Sequence, residues 1–199
     1  DGSPILSASP HPRCGLPLEN FRLPSRRARA LRRRPFELTL DAAFGEVIRA
    51  CAGLRASGHG TWLTPEMIAA YERLHALGYA HSVEAWRDGA LAGGLYGVAL
   101  GRAFFGESMF HRESEASRAA LAGLVALLRL RGTVMLDCQQ ETPHIMRRGG
   151  VMLPRAAFRE RLARALAAEG RREEREERKP DALRRQCAVP WAPWKTAYV

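Results

Sequence analysis

No apolar run in this 199-residue chain is long enough to cross a membrane, which excludes a spanning helix. The opening Asp1-Gly2-Ser3-Pro4 lacks the basic segment and apolar core of a secretory signal. Cysteine is scarce and scattered: Cys14, Cys51, Cys138 and Cys187 form no CxxC pair and no zinc pattern, so a reduced, cytoplasmic compartment is expected. The six histidines have no metal-site spacing, and no internal repeat is present. Acidic residues are also in deficit, 21 against 31 Lys and Arg, leaving a net charge of +10. Such a surplus points to a polyanionic partner, with nucleic acid the first candidate. It is densest at Arg26, Arg27, Arg29, Arg32, Arg33 and Arg34, where only Leu31 offers a membrane anchor.

Against this background two acids stand out. Glu107, in Gly106-Glu107-Ser108-Met109-Phe110, follows Ala103-Phe104-Phe105, and Asp137, in Asp137-Cys138-Gln139, ends Thr133-Val134-Met135-Leu136. Apolar runs of this length read as buried strands. A carboxylate in one must be hydrogen-bonded or do chemistry, because burying an unpaired charge is costly. The two acids flank one helical pattern, which suggests a small site built on strand ends.

The rest of the chain reads as an α+β layer. Residues 1–24 are proline-rich without periodicity and resemble the end of something that began earlier. Asp41 to Cys51 predicts an amphipathic helix, and Thr64-Pro65 opens a second one carrying Met67, Ile68, Tyr71 and Leu74 inward, ended by Gly78. Asp88-Gly89 and Leu100-Gly101 turn a three-strand antiparallel meander over residues 82–106. A helix from Glu115 to Leu130 buries Leu121, Leu124, Val125 and Leu128, and a strand follows over Thr133 to Asp137. The last helix, Pro154 to Ala168, buries Phe158, Leu162 and Leu166, before a charged, irregular tail with Trp191 and Trp194. Arg55-Ala56-Ser57-Gly58-His59-Gly60 matches the R/Q-x-x-G-x-G/A pyrophosphate cradle of coenzyme A-dependent acetyltransferases, but a helix rather than a strand precedes it, so a loop is expected.

Several blocks in matching order resemble the leucyl/phenylalanyl-tRNA–protein transferase family. They are Pro35-Phe36-Glu37-Leu38-Thr39, Thr61-Trp62-Leu63-Thr64, the run His75 to Trp86, Gly93 to Val98, the Glu107 and Asp137 blocks, and Pro154-Arg155 with Phe158. The resemblance spans Pro4 to Leu166 and implies a GNAT-like acyltransferase domain with the antiparallel meander and flanking helices, using no coenzyme A. It divides the chain into residues 1–34, a remnant of the N-terminal region with the basic segment; 35–169, the aminoacyltransferase domain; and 170–199, the tail. The family's N-terminal domain is largely missing, and its L-W-W-S-P-D-P-R element stands here as Leu6-Ser7-Ala8-Ser9-Pro10-His11-Pro12-Arg13, without either tryptophan.

The activity implied is transfer of leucine, phenylalanine or methionine from aminoacyl-tRNA to proteins with N-terminal Arg or Lys, marking them for N-end rule degradation. The chain is expected to act as a monomer without membrane contact. An aminoacyl ester is already activated, so no cofactor, metal or protein nucleophile is required; positioning and oxyanion stabilisation remain. Asp137, Gln139 and Glu107 are the candidate catalytic residues, with either acid a possible base. Strand alternation would put Gln139 on the side of Asp137 and turn Cys138 away as a buried thiol. Tyr96, Phe104, Ser108, Met109, Leu121, Leu124, Leu128 and Leu136 are the candidate substrate-binding residues around an apolar pocket, and Trp62 the platform for the terminal adenine. His144 matches a family histidine and reads as structural. Arg26, Arg27, Arg29, Arg32 and Arg33 would meet tRNA phosphates. Two other readings stay open: a degenerate homologue that binds tRNA or basic N-termini without transfer, and a coenzyme A-dependent acetyltransferase.

Overall fold

The computed structural model describes residues 9–33, 35–56 and 62–177. Seven strands form one sheet in the order β2-β3-β4-β5-β6-β1-β7. They are β1 (Arg13–Gly15), β2 (Glu37–Leu40), β3 (Ala80–Arg87), β4 (Ala90–Leu100), β5 (Ala103–His111), β6 (Met135–Gln139) and β7 (Val151–Leu153). The helices are α1 (Ser25–Arg33), α2 (Phe44–Ala56), α3 (Pro65–Ala76), α4 (Ala116–Leu130), α5 (Pro143–Met146) and α6 (Arg155–Glu177).

The expected meander is present as β3-β4-β5, with left-handed Asp88 and Gly89 forming the first hairpin turn. β5 and β6 are parallel, joined by the crossover through α4. α4 covers one face of the sheet, where Leu95, Phe104, Leu121, Leu124, Leu128 and Leu136 share a core. Alternate strand residues point the other way, so Leu91, Tyr96 and Phe110 pack with Phe44, Val47 and Ile48 of α2. α3 adds Met67, Ile68, Tyr71 and Leu74 to that side as half-buried residues, its first turn capped by Thr64.

Four sequence expectations need correction. Residues 13–15, read as irregular, form β1 inside the sheet between β6 and β7; three residues are too few to show a period. α2 starts at Phe44 and not at Asp41, because Asp41 is left-handed (φ 57°) and its carboxylate accepts from Ser82 N–H (2.8 Å) and faces His81 Nδ1 (2.8 Å). β5 runs on to His111, well past Gly106. In α6 the buried face is Phe158, Leu162 and Ala165 with i, i+4, i+7 spacing, leaving Leu166 43% exposed. The helix itself continues to Glu177. Residues 57–60 of the glycine-rich hexapeptide lie outside the described residues, as do Trp191 and Trp194, while Arg55 and Ala56 end α2.

Candidate active site

The site arises where two parallel strands part. β5 and β6 pair at Ala103–Met135, Phe104–Leu136 and Phe105–Asp137, and then no further. At that point β5 carries a bulge: Gly106 and Ser108 oppose Gly97 and Tyr96, leaving Glu107 unpaired. A bulge bends its strand and re-aims the side chains that follow. Phe104 before it and Met109 after it therefore both face the α4 core. Beyond the bulge the carboxyl ends of β5 and β6 and the first turns of α4 enclose a cavity of about 550 Å³, within the usual range for small-molecule sites.

Glu107 lies on its wall, held on both sides. Gln139 Nε2 donates to Glu107 Oε2 (3.2 Å), and the Tyr71 hydroxyl donates to the same carboxylate. Burial raises the Glu107 pKa, against the pull of these two donors. Tyr71 is raised as well, by burial first and then by the Glu107 charge. Tyr71 stands edge-on to Tyr96 (5.2 Å between ring centroids) and to Trp62 (6.3 Å), so three aromatics border the acid. Trp62 is 41% exposed, which leaves ring surface open for stacking.

Asp137 is placed otherwise. It is wholly buried, does not line the cavity, and is gripped by Arg13, whose Nε lies 3.1 and 3.0 Å from the two carboxylate oxygens and whose Nη2 lies 2.6 Å from Oδ2. Oδ1 also accepts from the Gln139 backbone N–H (3.0 Å). Gln139 is left-handed (φ 61°) and the β1–β6 pairing slips beside it, so the expected alternation fails. Cys138 and Gln139 both line the cavity while Asp137 turns to Arg13. Burial raises the Cys138 thiol well above its ordinary range and raises Cys14 as well, which leaves both protonated.

Of the pocket residues read from sequence, Trp62, Tyr96, Ser108, Met109, Leu121, Leu124 and Leu136 line the cavity with Glu107 and Gln139. Phe104 and Leu128 do not. Phe104 precedes the bulge and packs over Gly97, where a Cβ would stand 2.5 Å from its ring. Leu128 lies one turn past Leu124, about 6 Å further from the α4 N-terminus that faces the cavity. Sequence reasoning missed Tyr71, taken as plain core, and Leu95, Arg118, Thr142 and His144 on the wall. His144 is pushed down to about 4, by burial first and then by Arg148 and Arg118, and its Nε2 is buried without a partner. Of the basic helix, Arg26, Arg27, Arg29, Arg32 and Arg33 are all exposed; Arg27 is tied to Glu115 at the start of α4, which brings α1 beside the cavity. No three His, Cys, Asp or Glu side chains cluster as a metal site among the described residues, and no described helix is long and apolar enough to cross a membrane.

The cavity at the splayed strand ends thus sets a wall of leucines beside a half-buried acid held by an amide and a phenol. Comparison with known proteins narrows the class. A leucyl/phenylalanyl-tRNA–protein transferase of Desulfatibacillum aliphaticivorans is 52% identical over 167 residues, 83% of this chain and 72% of that one. Its counterpart from Nitratidesulfovibrio vulgaris (strain DP4) is 54% identical over 158 residues, 79% of this chain and 68% of that one. Among solved structures, the PaiA N-acetyltransferase from Thermoplasma acidophilum in complex with coenzyme A superposes with a TM-score of 0.33 at 12% identity, covering 46% of this chain and 67% of that one. The family model for leucyl/phenylalanyl-tRNA protein transferase matches residues 15–163, and the chain belongs to that family.

Proposed function

We propose that this chain transfers leucine, or phenylalanine or methionine, from the 3′ end of an aminoacyl-tRNA to the α-amine of a protein beginning with Arg or Lys. Family membership supports the reaction. The observation that carries the chemistry is Glu107 facing the apolar cavity under the grip of Gln139 and Tyr71. We read the domain as GNAT-like, with the acceptor protein marked for N-end rule degradation.

The acyl side chain lies among Leu95, Leu121, Leu124 and Leu136, which reject charged groups but separate Leu from Met or Phe by only about 1–3 kcal/mol. Trp62 stacks on the terminal adenine, and the exposed arginines of α1 meet tRNA phosphates. Glu107 attracts the cationic acceptor terminus and takes the proton lost by the attacking amine, a role helped by a pKa that burial raises. The amine's nitrogen forms the peptide bond, the ester C–O bond breaks, and the proton taken by Glu107 passes to the departing ribose oxygen, which leaves as the tRNA hydroxyl. Asp137 positions: clamped by Arg13, it holds the Gln139 backbone so that the side-chain amide reaches Glu107.

The test is direct. The purified chain, given tRNA charged with labelled leucine and a peptide beginning with Arg, should yield labelled peptide. Binding of the tRNA with no product would select the degenerate homologue, and acetylation from acetyl-coenzyme A would select the acetyltransferase.

A further inference from the structure

Around the first turn of α4 two guanidinium groups share one carboxylate, and two more lie close by. Arg27 and Arg118 both donate to Glu115 Oε1, the latter at 2.7 Å. Arg148 and Arg147 reach the same place from the turn after α5, close enough for Arg118, Glu115, Arg147 and Arg27 to act on the Arg148 charge. Arg148 is only 6% exposed, yet it makes no ion pair with any acid among the described residues; its Nη1 donates to the carbonyl of His144. Its Nε is buried without a partner, as are Arg118 Nε and His144 Nε2. Glu115 is outnumbered by Arg118, Arg147 and Arg27 around the Arg148 charge, and a buried cation so poorly compensated is costly. Ser117, Arg118, His111 and His144 open onto the cavity that holds Glu107, and the positive end of the α4 dipole adds to the surplus.

We infer that the end of the cavity lined by Arg118 and His144, with Arg148 buried behind His144, binds a phosphate group, the 5′-phosphate of the nucleoside that carries the acyl ester. A phosphate there balances the arginine surplus that Glu115 alone does not, and the unpaired Arg118 Nε and His144 Nε2 gain a partner. The site makes the cavity polar along its length. Phosphate is drawn to the Arg118 end, the acyl chain lies on the leucines between, and the cationic acceptor is repelled from the arginines toward Glu107. The source of the phosphate, though not the anion site, rests on the donor reading proposed above.

Calorimetric titration with adenosine and with adenosine 5′-monophosphate at one ionic strength tests this. The wild-type chain should bind the monophosphate about tenfold tighter, the equivalent of one charge-assisted hydrogen bond. Arg118→Gln and Arg148→Leu should each bring the two ligands to within about twofold, with adenosine affinity kept. Arg148→Leu should melt no lower than wild type without nucleotide, since an apolar residue replaces an unpaired buried charge, and should lose the rise in Tm that the monophosphate gives wild type. Equal wild-type affinity for the two ligands, or a preference that survives both substitutions, overturns the site. A chain that transfers leucine but fails this titration loses only the phosphate site; one that passes it but transfers nothing loses only the donor reading.

Discussion

Arg13 and Asp137, 124 residues apart, form a bidentate ion pair across the β1–β6 boundary, with Asp137 fully buried and the Arg13 side chain 15% exposed. The guanidinium also lies 4.8 Å from the centre of the Phe158 ring, tying β1 to α6. This pair withdraws Asp137 from the cavity, which Glu107 lines.

Removing one partner of a buried pair strands the other. Arg13→Leu should therefore destabilise the fold by about 3–5 kcal/mol in urea titration, and Arg13→Leu with Asp137→Leu should recover much of the loss. A single-variant loss under about 1 kcal/mol would show the pair to be solvated.

Glu84 offers a pH test of the core. Its carboxyl is wholly buried and its pKa is raised, burial outweighing the donors Ser82, Thr39 and the Ala42 N–H. The folded state thus holds this proton to higher pH than the unfolded chain, where Glu titrates near about 4.3. Its contribution to stability is full below that value and is lost as pH rises through the folded pKa. Glu84→Gln should gain stability relative to wild type as pH rises above about 4.3; Glu107 titrates in the same direction, and the difference between the two proteins removes it. A variant that loses ground to wild type as pH rises would contradict this.

The basic helix should govern tRNA affinity and not chemistry. Arg26, Arg29, Arg32 and Arg33 are exposed and make no ion pair among the described residues. Replacing any of them by Gln should raise the Michaelis constant for leucyl-tRNA and flatten its dependence on log salt by about 0.7–0.9 for each phosphate no longer neutralised. The constant for leucyl-adenosine, which has no phosphates, should not move. A salt-independent wild-type constant would remove the helix from tRNA binding.

Much of this architecture was legible in the chain because its signals are local. The Asp88-Gly89 turn, the Thr64 cap and the apolar stripe of α4 each announce an element within a few residues. The errors share a cause, which is information held in pairing. One extra residue at Glu107 decides which side chains of β5 face α4. The positive φ of Gln139 cancels the alternation that would have put it beside Asp137. β1 is a strand only because β6 and β7 offer it partners, and Arg13 finds Asp137 only through that placement. Tyr71 sits on an ordinary apolar helix face and joins the site only through its hydroxyl's bond to Glu107.

The central claim is that Glu107, and not Asp137, takes the proton from the attacking amine. The most direct measurement is the single-turnover rate of leucine transfer from tRNA to an Arg-initiated peptide, for wild type and Glu107→Gln, across about pH 6 to 9. Glu107→Gln should be slower than wild type by ~10²-fold or more wherever the acceptor amine is deprotonated, with an unchanged melting temperature. Near-normal transfer by folded Glu107→Gln would contradict the account.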